Sequence, residues 1–142
     1  MRAFPEDLSD RLAGFSKAVR ERDFASGRKL FDEQVTAFGT VCSRVDSLDA
    51  LVDGQWRAVW LQTVDFDFDY ASARSVAMDS LAIIMIGWRS IGFAPDQKPV
   101  ERHGRATIVL QQSTDGWKAV HTHFSINPQY AHDPVLRHAG PR

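Results

Sequence analysis

The sequence predicts an α+β domain in which a curved, mainly antiparallel sheet wraps over three N-terminal helices. Apolar residues recur at helical spacing early in the chain, at Leu8, Leu12, Phe15 and Val19 and again from Leu48 to Trp60. From Val64 onward they alternate with period two, or run in stretches too short for a buried helix, between turn signals. Helices early and strands late, the last two joined by a hairpin turn, is the segregated order of an α+β fold.

Pro5 followed by Glu6 and Asp7 marks a helix start whose acids suit the positive end of the dipole, and the stripe runs to about Glu21. Asp23 can cap a short second helix with Phe24, Leu30 and Phe31 inward, weakened by Gly27. Val35 to Val45 reads as a strand with a bulge near Gly39. Ser47 caps a third helix with a wide apolar face formed by Leu48, Leu51, Val52, Trp56, Val59 and Trp60.

Val64, Phe66, Phe68 and Tyr70 then alternate with Asp65, Asp67 and Asp69, as a half-buried strand does. Ala71 to Ser75 reads as a polar link, and Val76 to Arg89 as one long strand. Its run from Leu81 to Trp88 suits a central strand buried on both faces. Gly92 to Pro99 is a loop, and Val100 to Gln112 resumes as a strand interrupted near Gly104. Ser113 to Gly116 carries a hairpin turn, Pro128 ends the last strand, and an irregular tail is expected from Gln129 to Arg142.

At 142 residues, 44% hydrophobic and 25% charged, the chain is one ordinary globular domain that needs no metal or disulfide to fold. A net charge of -1 argues against a dedicated nucleic-acid binder. The single cysteine, Cys42, has no partner for a disulfide and no basic neighbour to activate it, so a small buried apolar role is expected. The N-terminus lacks the apolar core of a signal peptide and no run spans a membrane, so a soluble, cytoplasmic protein is expected.

In the last strand, period-two alternation puts Trp117, Ala119, His121, His123 and Ser125 on one side, with Lys118, Val120, Thr122 and Phe124 on the other. The side with two imidazoles is a candidate pocket wall, because histidine donates or accepts a proton near neutral pH after a small environmental shift. With a three-residue hairpin loop, Thr107, Arg105 and His103 would lie opposite His121, His123 and Ser125. His-x-His could supply two zinc ligands, but no unambiguous third ligand stands beside them, so no metal is expected. Asp65-x-Asp67-x-Asp69 resembles the opening of a calcium loop, yet Tyr70 and Val76 occupy the positions where Gly and Glu belong.

Further ligand-contacting candidates are Trp56, Trp60 and Trp88 as an aromatic wall, Tyr70, and Arg105 as a bidentate carboxylate partner. Asp79 either begins the apolar strand partly desolvated or sits at its rim beside Arg74 or Arg89, the rim being the better reading.

Two stretches carry a family resemblance. Leu48-Asp49-Ala50-Leu51-Val52-Asp53-Gly54-Gln55-Trp56-Arg57-Ala58-Val59-Trp60 is similar to the third helix of the SnoaL-like branch of the nuclear transport factor 2-like superfamily. Gly104 to Leu110, Asp115-Gly116-Trp117 and Val120-His121-Thr122-His123-Phe124-Ser125 resemble its closing strands. The Trp to His-x-His-x-Ser spacing also resembles the association domain of calcium/calmodulin-dependent kinase II. The resemblance spans roughly Leu8 to Pro128 and implies a cone-shaped α+β barrel, usually a homodimer packed through the sheet, with a pocket at its wide end.

That superfamily includes ketosteroid isomerase, scytalone dehydratase and polyketide cyclases as well as non-enzymatic assembly and transport domains, so the resemblance fixes no reaction. The isomerase aspartates and tyrosine have no matching motif here. What carries over is Trp56, Trp60, His121, His123 and Ser125. Two functions follow as expectations. One is a pocket for a small apolar or carboxylate-bearing molecule, with no cofactor, where His121 and His123 move protons in an isomerase, dehydratase or cyclase; it requires a cavity of about 300 Å³ or more. The other is a non-enzymatic dimeric binding or assembly module.

Overall fold

A computed structural model describes residues 4–130. Helix α1 (Glu6–Glu21) buries Leu8, Leu12, Phe15 and Val19, the stripe read from the sequence, and ends at Arg22 in the left-handed region at φ 55°. Long-range ties fix it at both ends. The Trp117 Nε1–H donates to Asp7 Oδ2 at 2.8 Å, and the Arg22 Nε–H donates to the Trp60 carbonyl at 3.1 Å. Asp23 caps α2 (Phe24–Arg28) by accepting from the Ser26 N–H, and the two bonds from Ser26 hold its carboxyl below the usual range.

Strand β1 spans Phe31–Phe38. It begins earlier than the expected Val35 and stops at Gly39, where a Cβ would collide with the Gln55 side chain. Val45 returns only as a single bridge to Ala37. The third helix, α3 over residues 48–60, follows β1 rather than joining the N-terminal pair. It is α-helical at Leu48–Leu51, widens to a π-helix at Val52–Trp56 and closes as α-helix at Arg57–Trp60.

Strands β2 (Thr63–Met78), β3 (Leu81–Phe93), β4 (Pro99–Ser113) and β5 (Gly116–Ile126) complete a five-stranded sheet in the order β1-β5-β4-β3-β2. Every neighbour pair is antiparallel except β1 with β5. The expected link at Ala71 to Ser75 is part of β2. It holds a bulge, where the Ser72 hydroxyl donates to the Asp69 carbonyl and accepts from the Gly87 N–H. The expected strand from Val76 is divided by a two-residue turn at Asp79-Ser80, with Asp79 at φ 52° and Met78 paired with Leu81.

Strand β4 runs through Gly104 without interruption. The Trp88 indole lies against this glycine, and a Cβ there would overlap the ring and the Ser125 carbonyl. One face of β3 is buried beneath the helices through Ala82, Ile84, Ile86 and Trp88. Its other face, with Leu81 and Met85, is exposed, so the chain alone covers only one side of a strand that reads as doubly buried.

The core lies between the helices and this inner face. Phe15 stands at its centre, ringed by Phe31, Trp56, Trp60, Phe66, Phe68 and Phe124 at centroid separations of 5.7–6.1 Å. Among the described residues no helix is long and apolar enough to cross a membrane. Of the expected tail, Pro128–Tyr130 forms a 3-10 turn, and residues 131–142 lie outside the described residues.

Candidate functional site

A single extra residue decides which side chains meet. Ser113 pairs with Gly116 across a two-residue turn, and the register holds through Leu110 with Ala119. The next pair is Val109 with His121, leaving Val120 as a bulge. Parity flips at that point. Trp117 and Ala119 face the helices with Thr122 and Phe124, while His121, His123 and Ser125 face outward. The expectation that Trp117, Ala119 and the two histidines share one side is therefore corrected.

Opposite them stand Val109, Thr107 and Arg105, a shift of two residues from the pairing expected for a three-residue loop. The outward residues of β5 are supported from both sides. The His121 Nδ1–H donates to the Thr36 carbonyl at 2.6 Å, and the rings of His121 and His123 meet Phe38 edge-on at 5.0 and 5.3 Å. The Arg105 Nε–H donates to Ser125 Oγ at 3.1 Å, so Arg105 and Thr107 both point away from the helices.

The inner side holds a cleft of about 50 Å³ between α1, α3 and the sheet. Its apolar walls include Phe15, Phe66 and the pair Trp56 and Trp60, whose indoles stack at 4.3 Å. The volume is well short of the one expected from the sequence. Trp56 and Trp60 thus reach the interior as anticipated, whereas the outward histidines do not. Tyr70, 39% exposed and against Phe68, is not among the cleft's lining residues, and desolvation pushes its phenol up. Asp79 is exposed at the β2–β3 turn, remote from the cleft lining, so the desolvated setting does not arise.

Arg102 escapes the sequence reading, and it meets the Trp88 indole in the cleft. Arg102 is 2% exposed, donates from Nη1 to Ser90 Oγ at 3.1 Å and lies 5.3 Å from the Trp88 ring centre. Trp88 Nε1 is buried without a hydrogen-bond partner among the described residues. The signal was present in period two: Arg102 precedes Gly104, Ala106, Ile108 and Leu110 on the inward side of β4. Gln55 is a further polar group of the cleft. Its Oε1 accepts from the Val41 and Cys42 N–H groups at 2.9 and 3.0 Å, and its Nε2–H donates to Thr40 Oγ1 at 2.8 Å. The π-helical widening places Gln55 to make these bonds.

Cys42, half-buried beside this loop, has its thiol pushed up by desolvation and is no ready nucleophile. Among the described residues no cluster of three or more His, Cys, Asp or Glu side chains could hold a metal ion.

Comparison with known proteins agrees with this architecture. No curated protein sequence matches significantly. Solved structures do. A nuclear transport factor 2-like superfamily protein from Salmonella enterica superposes with a TM-score of 0.76 at 14% identity, covering 88% of this chain and 92% of that one. A ketosteroid isomerase-like protein from Erwinia carotovora gives 0.71 at 13%, covering 87% and 98%. A candidate dehydratase of the nuclear transport factor 2-like family from Streptomyces avermitilis gives 0.72 at 16%, covering 87% and 95%. A SnoaL-like domain model matches residues 8–129. The family match across nearly the whole described chain shows that the protein belongs to the SnoaL-like family, with the fold of nuclear transport factor 2-like proteins.

Proposed function

We propose that the chain binds a small carboxylate-bearing apolar molecule in the inner cleft, with Arg102 and Trp88 receiving its charged end. The observation that carries this reading is the buried Trp88 N–H, without a partner among the described residues, beside a guanidinium that is itself 2% exposed. A buried donor left unpaired costs about 1–3 kcal/mol, and a ligand oxygen would recover it. Phe15, Phe66 and the stacked indoles then face the apolar body. No histidine or carboxylate lines the cleft among the described residues, which favours binding over proton transfer there. Entry of anything larger than a few heavy atoms requires Trp56 and Trp60 to part.

Carboxylates from propionate to phenylpropionate, each against its primary amide, test this by quenching of tryptophan fluorescence. Acids are expected to bind more tightly than amides, and Arg102→Gln to cost about tenfold for acids alone. Equal binding of acid and amide, or of wild type and variant, would reject the reading.

A second reading, self-association through the outer sheet face, has its own support. Val76, Met78, Leu81 and Met85 leave 58%, 74%, 43% and 39% of their surface exposed on adjoining strands, a patch that soluble monomers rarely show. It lies on the uncovered side of the strand that reads as doubly buried. A second copy of the chain is the proposed cover. Met78→Glu with Leu81→Glu is expected to turn a dimer into a monomer in sedimentation velocity; a wild type that sediments as a monomer at 100-fold differing concentrations, about 1 to 100 μM, removes this reading.

A further inference from the structure

A second, smaller hollow of about 30 Å³ lies between the helices and the sheet, and it shares Phe15, Phe31, Thr122 and Phe124 with the inner cleft. Of these four common walls only Thr122 is polar. The bulge at Val120 turns it inward, where it is 3% exposed, and its neighbours across the sheet are Ala37 on β1 and Ile108 on β4. Neither has a polar side chain to offer.

The other polar side chains of the cleft are engaged within the protein. The Thr63 hydroxyl donates to the Val59 carbonyl, Thr40 accepts from Gln55, Gln55 holds the Val41 and Cys42 N–H groups, and Arg102 donates to Ser90. Among the described residues the Thr122 hydroxyl has no hydrogen bond. Leaving a buried hydroxyl unpaired costs free energy, and valine would fill the same shape in a strand without that cost. The fold gains nothing from this oxygen, whereas a guest would.

We propose that Thr122 is a second polar anchor of the cleft, selecting a guest that carries a hydroxyl or carbonyl oxygen at the end remote from its carboxylate. This rests on the reading of the cleft as a carboxylate site. A threonine hydroxyl both donates and accepts, so it suits either oxygen. The Arg102 guanidinium lies against Trp88, which stands opposite Gly104, whereas Thr122 stands opposite Ile108. From the level of Gly104 to that of Ile108 is roughly 13 Å at the usual strand rise. An aromatic ring with a short chain, hydrogen-bonded at each end, spans that distance. The guest class is therefore a hydroxy- or oxo-substituted aromatic acid.

Thr122→Val tests the proposal twice. In the ligand-free protein its urea midpoint should be no lower than that of wild type; a lower one would mean that the hydroxyl serves the fold, and would overturn the proposal. Isothermal titration with phenol, benzaldehyde and toluene then reads this anchor by itself and tells hydroxyl from carbonyl guests, because none of the three brings a charge to Arg102. Affinity for phenol or for benzaldehyde is expected to fall about five- to tenfold in Thr122→Val, while toluene changes by less than about twofold. Thr122→Ser, which keeps the oxygen, should retain the affinity that valine loses. No binding of either oxygen-bearing probe to wild type, an unchanged affinity in Thr122→Val, or an equal loss for all three probes would each overturn the proposal. Failure of the carboxylate reading shows elsewhere, as equal binding of acid and amide, to which these neutral probes are blind.

Discussion

The two faces of this sheet are built from the same strands under opposite rules. On the inner face, side chains are aromatic or aliphatic and the few polar ones are buried: Arg102 at 2% and Thr122 at 3% exposed. On the outer face, Gly87 stands among charged residues at one end, while Met78 and Leu81 are exposed at the other. The inner face shows what the fold needs. The outer face shows what folding left unused, and such a surface is available for partners.

Shifting β5 by one residue beyond the bulge should break the contrast most severely. Deleting Thr122, with Val120 still bulged, would turn His123 inward and Phe124 outward. A loss of at least about 4 kcal/mol, or no folded state, is expected in urea unfolding. A variant as stable as wild type would show that the bulge does not fix the facing.

Glycines on the two faces should separate next. Gly104→Ala drives a methyl into the Trp88 ring and the Ser125 carbonyl, and overpacking of this kind costs about 1–3 kcal/mol or more. For Gly87→Ala on the outer face, the nearest atom to the new Cβ is Ser72 Oγ at 3.3 Å, so a change of under about 1 kcal/mol is expected. Equal costs in chemical denaturation would mean that the outer face is packed as tightly as the inner.

The smallest effect lies at the sheet edge. Asp46 accepts from the Arg44 guanidinium and from the Thr36 hydroxyl, which hold its carboxyl below the usual range. A depressed carboxylate stabilises the fold above the ordinary range and loses that contribution as pH falls through the lowered value. The difference in Tm between wild type and Asp46→Ala should therefore shrink on acidification from pH 7. A difference independent of pH would detach it from this charge.

The sequence was most legible where a pattern repeats. Four apolar positions at helical spacing located α1, and Asp23 and Ser47 announced their caps. It was least legible where one residue breaks a period, since nothing in Ala119-Val120-His121 marks a bulge and parity after it is a tertiary choice. The same holds at Ser72, whose hydroxyl replaces a backbone partner and turns a polar stretch into strand. Arg102 was missed for another reason. A charged residue in an apolar register is commonly assigned to solvent, and only the indole of Trp88 laid over Gly104 shows why this one stays inside.

The π-helical turn Val52–Trp56 has a consequence for motion. Its five residues bond over a longer loop than an α-helix allows, and both Gln55 and Trp56 depend on it. A turn that can shed its extra residue and rewind as α-helix has two backbone states close together. Amide hydrogens there should exchange with solvent sooner than those of α1, because the cleft wall that must yield to admit a guest is the one whose ladder is most easily remade.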